Sequence, residues 1–292
     1  MRARTKRKLA GAAYVAPAFL FVLAFTVYPF VRTFQISLTD ESLLLPAKYV
    51  GLDNFRDALD DDQFWGAFRF TLKYTVLLTP ILMIGGYLLA LLLATNTGVR
   101  RFTRAVVFIP VVIGLGVSSL LWYWLFSPRF GLINAALQDL GIIDEPILWL
   151  GVNPNTSLWA IIVSITWKVI GFGMILFVAA IQAVPKEVNE AALVDGASAW
   201  QRAVRVTLPL TMRTVLLVTL ISVIGSLLAF DQFFLMTAGQ PLNQTATSVF
   251  YIYLNTFPFL KLGYGAALSL MLAAFILIFT VTQMVLSRRS AR

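Results

Sequence analysis

Residues 185–210 read PKEVNEAALVDGASAWQRAVRVTLPL, and this stretch from Pro185 to Leu210 decides the fold. Its pattern is helix, turn, helix. Pro185 suits a first helical position, with Glu187 near the positive end of the helix dipole. Glu190, Ala191, Ala192 and Leu193 continue with strong helix formers. Gly196 supplies a residue that turns the backbone at positive φ. A second helix is expected from about Ala199, ending before Leu208-Pro209 because a proline restricts the residue ahead of it. Two short helices at an angle make a compact projecting knob, a shape that a partner grips from outside.

Apolar runs flank the knob. On one side Leu158–Val184 is apolar apart from a few polar residues and Lys168. On the other, Thr214–Phe230 gives 17 residues and runs on past Asp231 to Met236. Farther out lie four runs free of Asp, Glu, Lys and Arg: Leu9–Val31 with 23 residues, Tyr74–Val99 with 26, Ala105–Pro128 with 24 and Leu262–Ser287 with 26. About 20 mostly apolar residues cross the roughly 30 Å of bilayer hydrocarbon, so six membrane helices are expected. Gln232–Leu260 is also charge-free, but Gly239, Pro241, Asn243 and Gln244 make it a turn between shorter elements. The first run follows five basic residues, yet it is longer than a signal-peptide core and no small-x-small cleavage site closes it. It is read as a retained helix.

Composition agrees. The 292 residues are 59% hydrophobic and 13% charged, with mean hydropathy +0.82. A soluble domain is about 45–50% apolar and about 25% charged. There is no cysteine and no histidine. That excludes disulfides, thiol nucleophiles, Cys/His metal sites and His-based proton transfer. The spans also hold no carboxylate cluster for hydrolysis, which argues against a membrane-embedded enzyme.

The net charge is +9. With a cytoplasmic N-terminus, 15 of the 23 basic residues fall on the cytoplasmic side and seven outside. Ten of the 14 acidic residues lie in two outer segments, Asp40–Asp62 and Asp139–Glu145. The basic excess is thus topology and contact with anionic membrane lipid. Nucleic acid is not an expected partner, because the basic residues are split among short segments.

The expected organisation is a basic cytoplasmic tail at 1–8, a first transmembrane helix at 9–37 and an outer loop at 38–69. A core of five transmembrane helices follows at 70–287, with the knob at 185–212 inside it, and a basic tail closes the chain at 288–292. Within the first outer loop, YVGLDNFRDALDDDQFW reads as one amphipathic helix that lays Phe55, Leu59, Phe64 and Trp65 on a membrane surface. A second outer loop at 129–157 carries a short helix at Leu132–Leu140, and a third spans 237–261.

Here the residues carry a resemblance. Glu190-Ala191-Ala192, three residues, Gly196, nine residues, Val206, one residue, Leu208-Pro209 matches the EAA loop of ABC importer permeases, E-A-A-x3-G-x9-I-x-L-P. Val206 replaces the family's isoleucine. The opening LAGAAYVAPAFLFVLAFTVYPFVRTFQISL, the YVGLDNF after it and FIPVVIGLGVSSLLWYWLFSPRFGLINAAL resemble carbohydrate-uptake permeases of the maltose type. FDQFFLMTAGQP resembles the end of that family's fifth helix, with Gln240 in place of a second glycine.

The resemblance implies an all-α membrane protein of six transmembrane helices, the type I ABC importer permease fold, with N- and C-termini cytoplasmic. It implies a subunit without catalysis of its own, in a bacterial or archaeal cytoplasmic membrane. The implied partners are a second homologous permease, two copies of an ABC ATPase and an extracellular or periplasmic sugar-binding protein. ATP and Mg would sit on the ATPase, since no G-x-x-x-x-G-K-[ST] occurs in this chain. Glu190, Ala191, Ala192, Gly196, Leu208 and Pro209 then form the ATPase-coupling element: the alanines keep the knob slim, Gly196 sets its angle and Glu190 offers a charge.

Charges inside a bilayer are functional candidates by default. Lys168, about ten residues into the fourth span, and Asp231, near the outer end of the fifth, either line the substrate path or hold helices together. Trp167 and Phe230 are aromatic candidates for stacking on a sugar face or for packing. Asn134 reads as a helix-packing residue. The path's cationic groups are too few for a phosphorylated substrate, so a neutral sugar, a di- or oligosaccharide, is expected. The alternative is a secondary transporter or channel for a small polar solute, which would carry more intramembrane ionisable groups and has no use for an EAA knob.

Overall fold

The computed structural model describes residues 14–42 and 47–290, with side chains to residue 285. The basic tail at 1–8, the start of the first span at 9–13 and the last two residues of the tail at 288–292 lie outside the described residues. The chain forms two compact units.

The first unit takes in residues up to Asp61 together with Ile252–Ala274. Helix α1 (Tyr14–Ser37) is 24 residues long with mean hydropathy 1.9. Its middle widens into a π turn at Leu23–Val27, just ahead of Pro29. A π turn shifts the hydrogen-bond register, so the proline's missing N–H is accommodated. After α1 the chain doubles back. Thr39 bridges Tyr49, and α2 (Asp53–Asp60) follows. Asn54 is buried and its Nδ2 donates to the carbonyls of Ser37 at 2.9 Å and Thr39 at 2.8 Å, tying the loop to the end of α1. Gly263 abuts the Thr39 carbonyl so closely that a Cβ would collide with it. The Gly263 amide donates to Glu41 O at 3.0 Å, and Tyr264 Oη donates to Asp61 Oδ2 at 2.6 Å. Small residues and short polar contacts thus join the segment after α1 to the start of the last long helix.

The second unit holds Asp62–Tyr251 and the chain from Phe275. Its elements are α3 (Asp62–Leu93), α4 (Gly98–Val112), α5 (Leu115–Leu125), α6 (Leu132–Asp139), α7 (Pro154–Gln182), α8 (Lys186–Val194), α9 (Ala199–Leu210), α10 (Met212–Leu227) and α11 (Asp231–Thr237). Helices α12 (Ser248–Thr256) and α13 (Leu262–Ser290) run across the unit boundary. Helix α7 is the hub and packs on α3, α4 and α10. The core between them is Ala90 and Leu93 of α3, Met174, Phe177 and Val178 of α7, and Val218 of α10. At Gly86 a Cβ would stand 3.5 Å from the backbone nitrogen of Met174, the close approach that small residues permit between membrane helices.

Hydroxyls join the remaining helices. Thr71 Oγ1 accepts from the Ser248 amide at 2.8 Å, and Ser226 Oγ donates to Thr75 Oγ1 at 2.9 Å. Where water is absent, such pairs satisfy groups that would otherwise be orphaned at a cost of about 1–3 kcal/mol each.

Among the described residues four helices are long and apolar enough to cross a membrane, and up to six if each of two bent pairs is one span. The departures from the expected six are informative. Helix α3 starts at Asp62 rather than at 70, inside the expected outer loop. Arg69 and Lys73 broke the charge-free run there, but long cationic side chains extend to polar partners: Lys73 Nζ reaches Asn155 Oδ1 at 2.6 Å. The expected single amphipathic helix is two helices that break at Asp61, and Phe64 is buried on α3 instead of lying on a membrane surface. The expected Ala105–Pro128 span bends by 97° between α4 and α5, where Ile113 turns extended (φ −68°, ψ 135°). The fifth span stops at Leu227 and does not run on past Asp231; a new short helix starts there after Phe230 (φ −138°, ψ −63°).

Candidate functional site

The knob is built as its residue types require. Pro185 is the N-cap of α8, one position outside the helix, where its missing N–H costs nothing. Gly196 has φ +76°, in the left-handed region. Around it the Ala197 amide donates to Ala192 O at 3.0 Å and the Gly196 amide to Leu193 O at 3.0 Å, which closes the end of α8. Ser198 then opens α9 with a capping box. Its Oγ accepts from the Gln201 amide at 3.2 Å, and Gln201 Oε1 accepts from the Ser198 amide at 2.8 Å.

Helix α9 does not end before Leu208-Pro209 as expected. A π turn at Ala203–Thr207 carries the helix through both residues to a 75° bend between Leu210 and Met212. The widened turn removes the need for the proline's N–H, as in α1.

Ala203 and Thr207 are buried and seat α9 on the bundle. Most of the rest of the knob is uncovered. Glu190, Ala191, Gly196 and Pro209 are exposed, and Ala192 and Leu208 are half-buried. Val194 and Trp200 stand 89% and 67% exposed beside them. Apolar side chains left uncovered in this way mark a surface that another protein or the membrane covers. A Cβ at Gly196 would meet nothing within 4 Å, so the demand for glycine there is conformational and not spatial.

A cavity of about 310 Å³ opens between α3, α7, α10 and the start of α11. Lys168, Phe230 and Asp231 all line it, together with Tyr74, Ser222 and Ser226. Asp231 is exposed in the first turn of α11. Phe230 stacks on Phe234 with ring centroids 5.2 Å apart. Trp167 is not among the lining residues; its ring meets Trp122 edge-on at 5.7 Å. Lys168 sits at the midpoint of α7, about 21 Å from either end at 1.5 Å per residue, deeper than the ten residues expected. It is buried, and its Nζ donates to the carbonyls at the end of α4, with Ile113 O at 2.5 Å.

Sequence reasoning missed several cavity residues. Gln232 is buried and its Nε2 donates to Tyr74 Oη at 3.3 Å. Ser222 and Ser226 sit four apart on α10, one helical face. That spacing was the available signal. Asn134, expected to pack, does more than that. Its Oδ1 accepts from Trp149 Nε1 at 2.9 Å and the Ile147 amide at 3.2 Å, and its Nδ2 donates to Ile147 O at 3.0 Å. Chemically, the cavity wall is mostly apolar and carries a carboxylate, an ammonium, hydroxyls, an amide and aromatic rings.

Comparison with known proteins follows the same line. Residues 83–292 match the family model of the binding-protein-dependent transport system inner membrane component. The chain is 33% identical over 269 residues to the sulfoquinovosyl glycerol transport system permease protein SmoG of Agrobacterium fabrum, covering 91% of this chain and 86% of that protein. It is 33% identical over 285 residues to the lactose transport system permease protein LacF of Rhizobium radiobacter, covering 95% and 94%. It is 31% identical to the trehalose/maltose transport system permease protein MalF of Thermococcus litoralis, covering 95% and 93%. Among solved structures it is similar to a chain of a bacterial alginate ABC transporter in complex with an alginate pentasaccharide-bound periplasmic protein. The TM-score is 0.87 and the identity 25%, over 99% of this chain and 97% of that one.

Proposed function

The chain belongs to the family of binding-protein-dependent transport system inner membrane components, and on that premise we propose that it is the permease subunit of an ABC importer that takes up an uncharged di- or oligosaccharide by ATP-driven alternating access. The observation that carries this reading is the uncovered knob. It has an E-A-A pattern on α8, a left-handed turn at Gly196 and apolar residues exposed at its surface. Glu190, Ala191, Ala192, Gly196, Leu208 and Pro209 form the element that an ATPase holds. Motion of that element tilts α9 and α10 against α7 and opens or closes the cavity between them.

The expected six spans with both termini cytoplasmic complete the topology, each bent pair counting as one span, in the type I permease arrangement. The membrane is a bacterial or archaeal cytoplasmic membrane. The partners are a second homologous permease, two ATPase copies that carry ATP and Mg, and an extracellular or periplasmic sugar-binding protein. This chain contributes no chemical step. Asp231 and Phe230 are the candidate substrate contacts. Two features favour an uncharged substrate: the Lys168 ammonium is already engaged by backbone carbonyls, and the other charge lining the cavity is a carboxylate.

The test is a pull-down of the tagged chain from mild detergent with co-purifying subunits identified by mass. A Walker-motif ATPase and a second permease are expected. A chain that purifies alone, or with itself only, would contradict the reading and favour a secondary transporter.

A further inference from the structure

Lys168 is a buried cation whose partners are all backbone. Its Nζ donates to Ile113 O at 2.5 Å, Val111 O at 3.4 Å and Pro110 O at 3.5 Å. Among the described residues it makes no ion pair. These carbonyls belong to the last turn and C-cap of α4, where the chain bends by 97° into α5. The last carbonyls of a helix run out of intrahelical donors and carry the negative end of its dipole; here the Pro110 carbonyl also accepts from the Ile113 amide at 3.2 Å. In water the ends of a broken helix are solvated; in hydrocarbon they must be satisfied by the protein. An ammonium group brings three donors and a full positive charge.

One turn along α7, on the same face, Gly171 lies against the backbone of α4. A Cβ there would strike the Val107 carbonyl and stand 3.1 Å from Phe108 Cα. So α7 touches the end of α4 twice, once by absence of a side chain and once by a charged one.

We propose that Lys168 is a positioning residue: with Gly171 it clamps the break between α4 and α5 and so holds Val111 and Leu115, which line the cavity, in place. Lys168 is not a substrate ligand. The inference goes beyond the import reading and borrows from it only the transport readout below.

The experiment uses the complex purified through this chain in lipid nanodiscs and proteoliposomes, with the partners' reactive cysteines removed. The chain has no cysteine, so Gly114→Cys gives a unique site for a nitroxide label at the break. Gly114 has φ −56° and ψ 144°, ordinary for any residue, and a Cβ there meets nothing nearer than 4.0 Å. In Lys168→Met the label's rotational correlation time falls at least about threefold. The maximal uptake rate falls at least about tenfold, with KM for the sugar within about twofold. Lys168→Arg, which also donates to carbonyls, restores both.

Should Lys168→Met not assemble, Lys168→Gln, a shorter neutral donor, is measured in the same way and falls between. Unchanged label mobility overturns the clamp. A raised KM at an unchanged rate and mobility makes Lys168 a substrate ligand. The mobility readout needs no sugar: a wild-type complex that imports none would end the import reading and leave the clamp standing or falling by its own measurement.

Discussion

At Gly196 the constraint is purely one of backbone. The residue has φ +76°, open space surrounds its missing side chain, and two hydrogen bonds close α8 around it. A β-branched side chain in the left-handed region costs at least about 1–2 kcal/mol, whereas asparagine adopts it at little cost. Gly196→Val is therefore expected to insert normally but to lose the coupling of ATP hydrolysis to uptake, and Gly196→Asn to keep most of it. The check is the ratio of sugar transported to ATP hydrolysed in proteoliposomes. Equal ratios for the two variants would mean that the angle of the knob is immaterial. This residue was legible in the sequence because a turn needs a local signal, and glycine between two helix-forming stretches is one. Lys168 was legible as a buried charge but not as a cap. Its carbonyl partners lie 55 to 58 positions away in the chain, and no local pattern reports them.

At the scale of elements, the helices on either side of the knob were readable from apolar runs, and their continuity was not. A charge-free run measures composition, and composition is the same on both sides of a bend. The stop at Leu227 and the restart at Asp231 have no glycine or proline between them to announce them. They are held by tertiary contacts instead: Thr247 Oγ1 donates to Ala229 O at 2.6 Å, and Phe233 packs edge-on against Tyr74 at 5.0 Å. The same absence of local signal hid the role of Asn134, which anchors the segment after α6. Asn134→Ala would leave the Ile147 amide and the Trp149 indole without their acceptor, at about 1–3 kcal/mol in local opening. Hydrogen exchange at Ile147 is expected to accelerate about tenfold or more while the amides of α7 keep their protection. Uniform acceleration through α7 would show instead that the substitution loosens the bundle as a whole.

At the scale of the molecule, the chain divides its labour. Helix α7 packs against α3, α4 and α10 and touches α5 and α11, lines the cavity and leads directly through Pro185 into the knob. Helix α10 lines the same cavity from the far side of the knob. In the proposed mechanism a push on the knob reaches two walls of one cavity, directly through α7 and across the 75° bend into α10. The central claim is that ATP on a partner drives uptake through this path. The most direct measurement is uptake of the labelled sugar that the co-purifying binding protein carries into proteoliposomes holding the purified complex, with binding protein outside and ATP inside or absent. Accumulation that requires both ATP and binding protein, and disappears in Gly196→Val, is the predicted result. Accumulation without ATP, driven by a proton or sodium gradient, would contradict it and make the chain a secondary transporter.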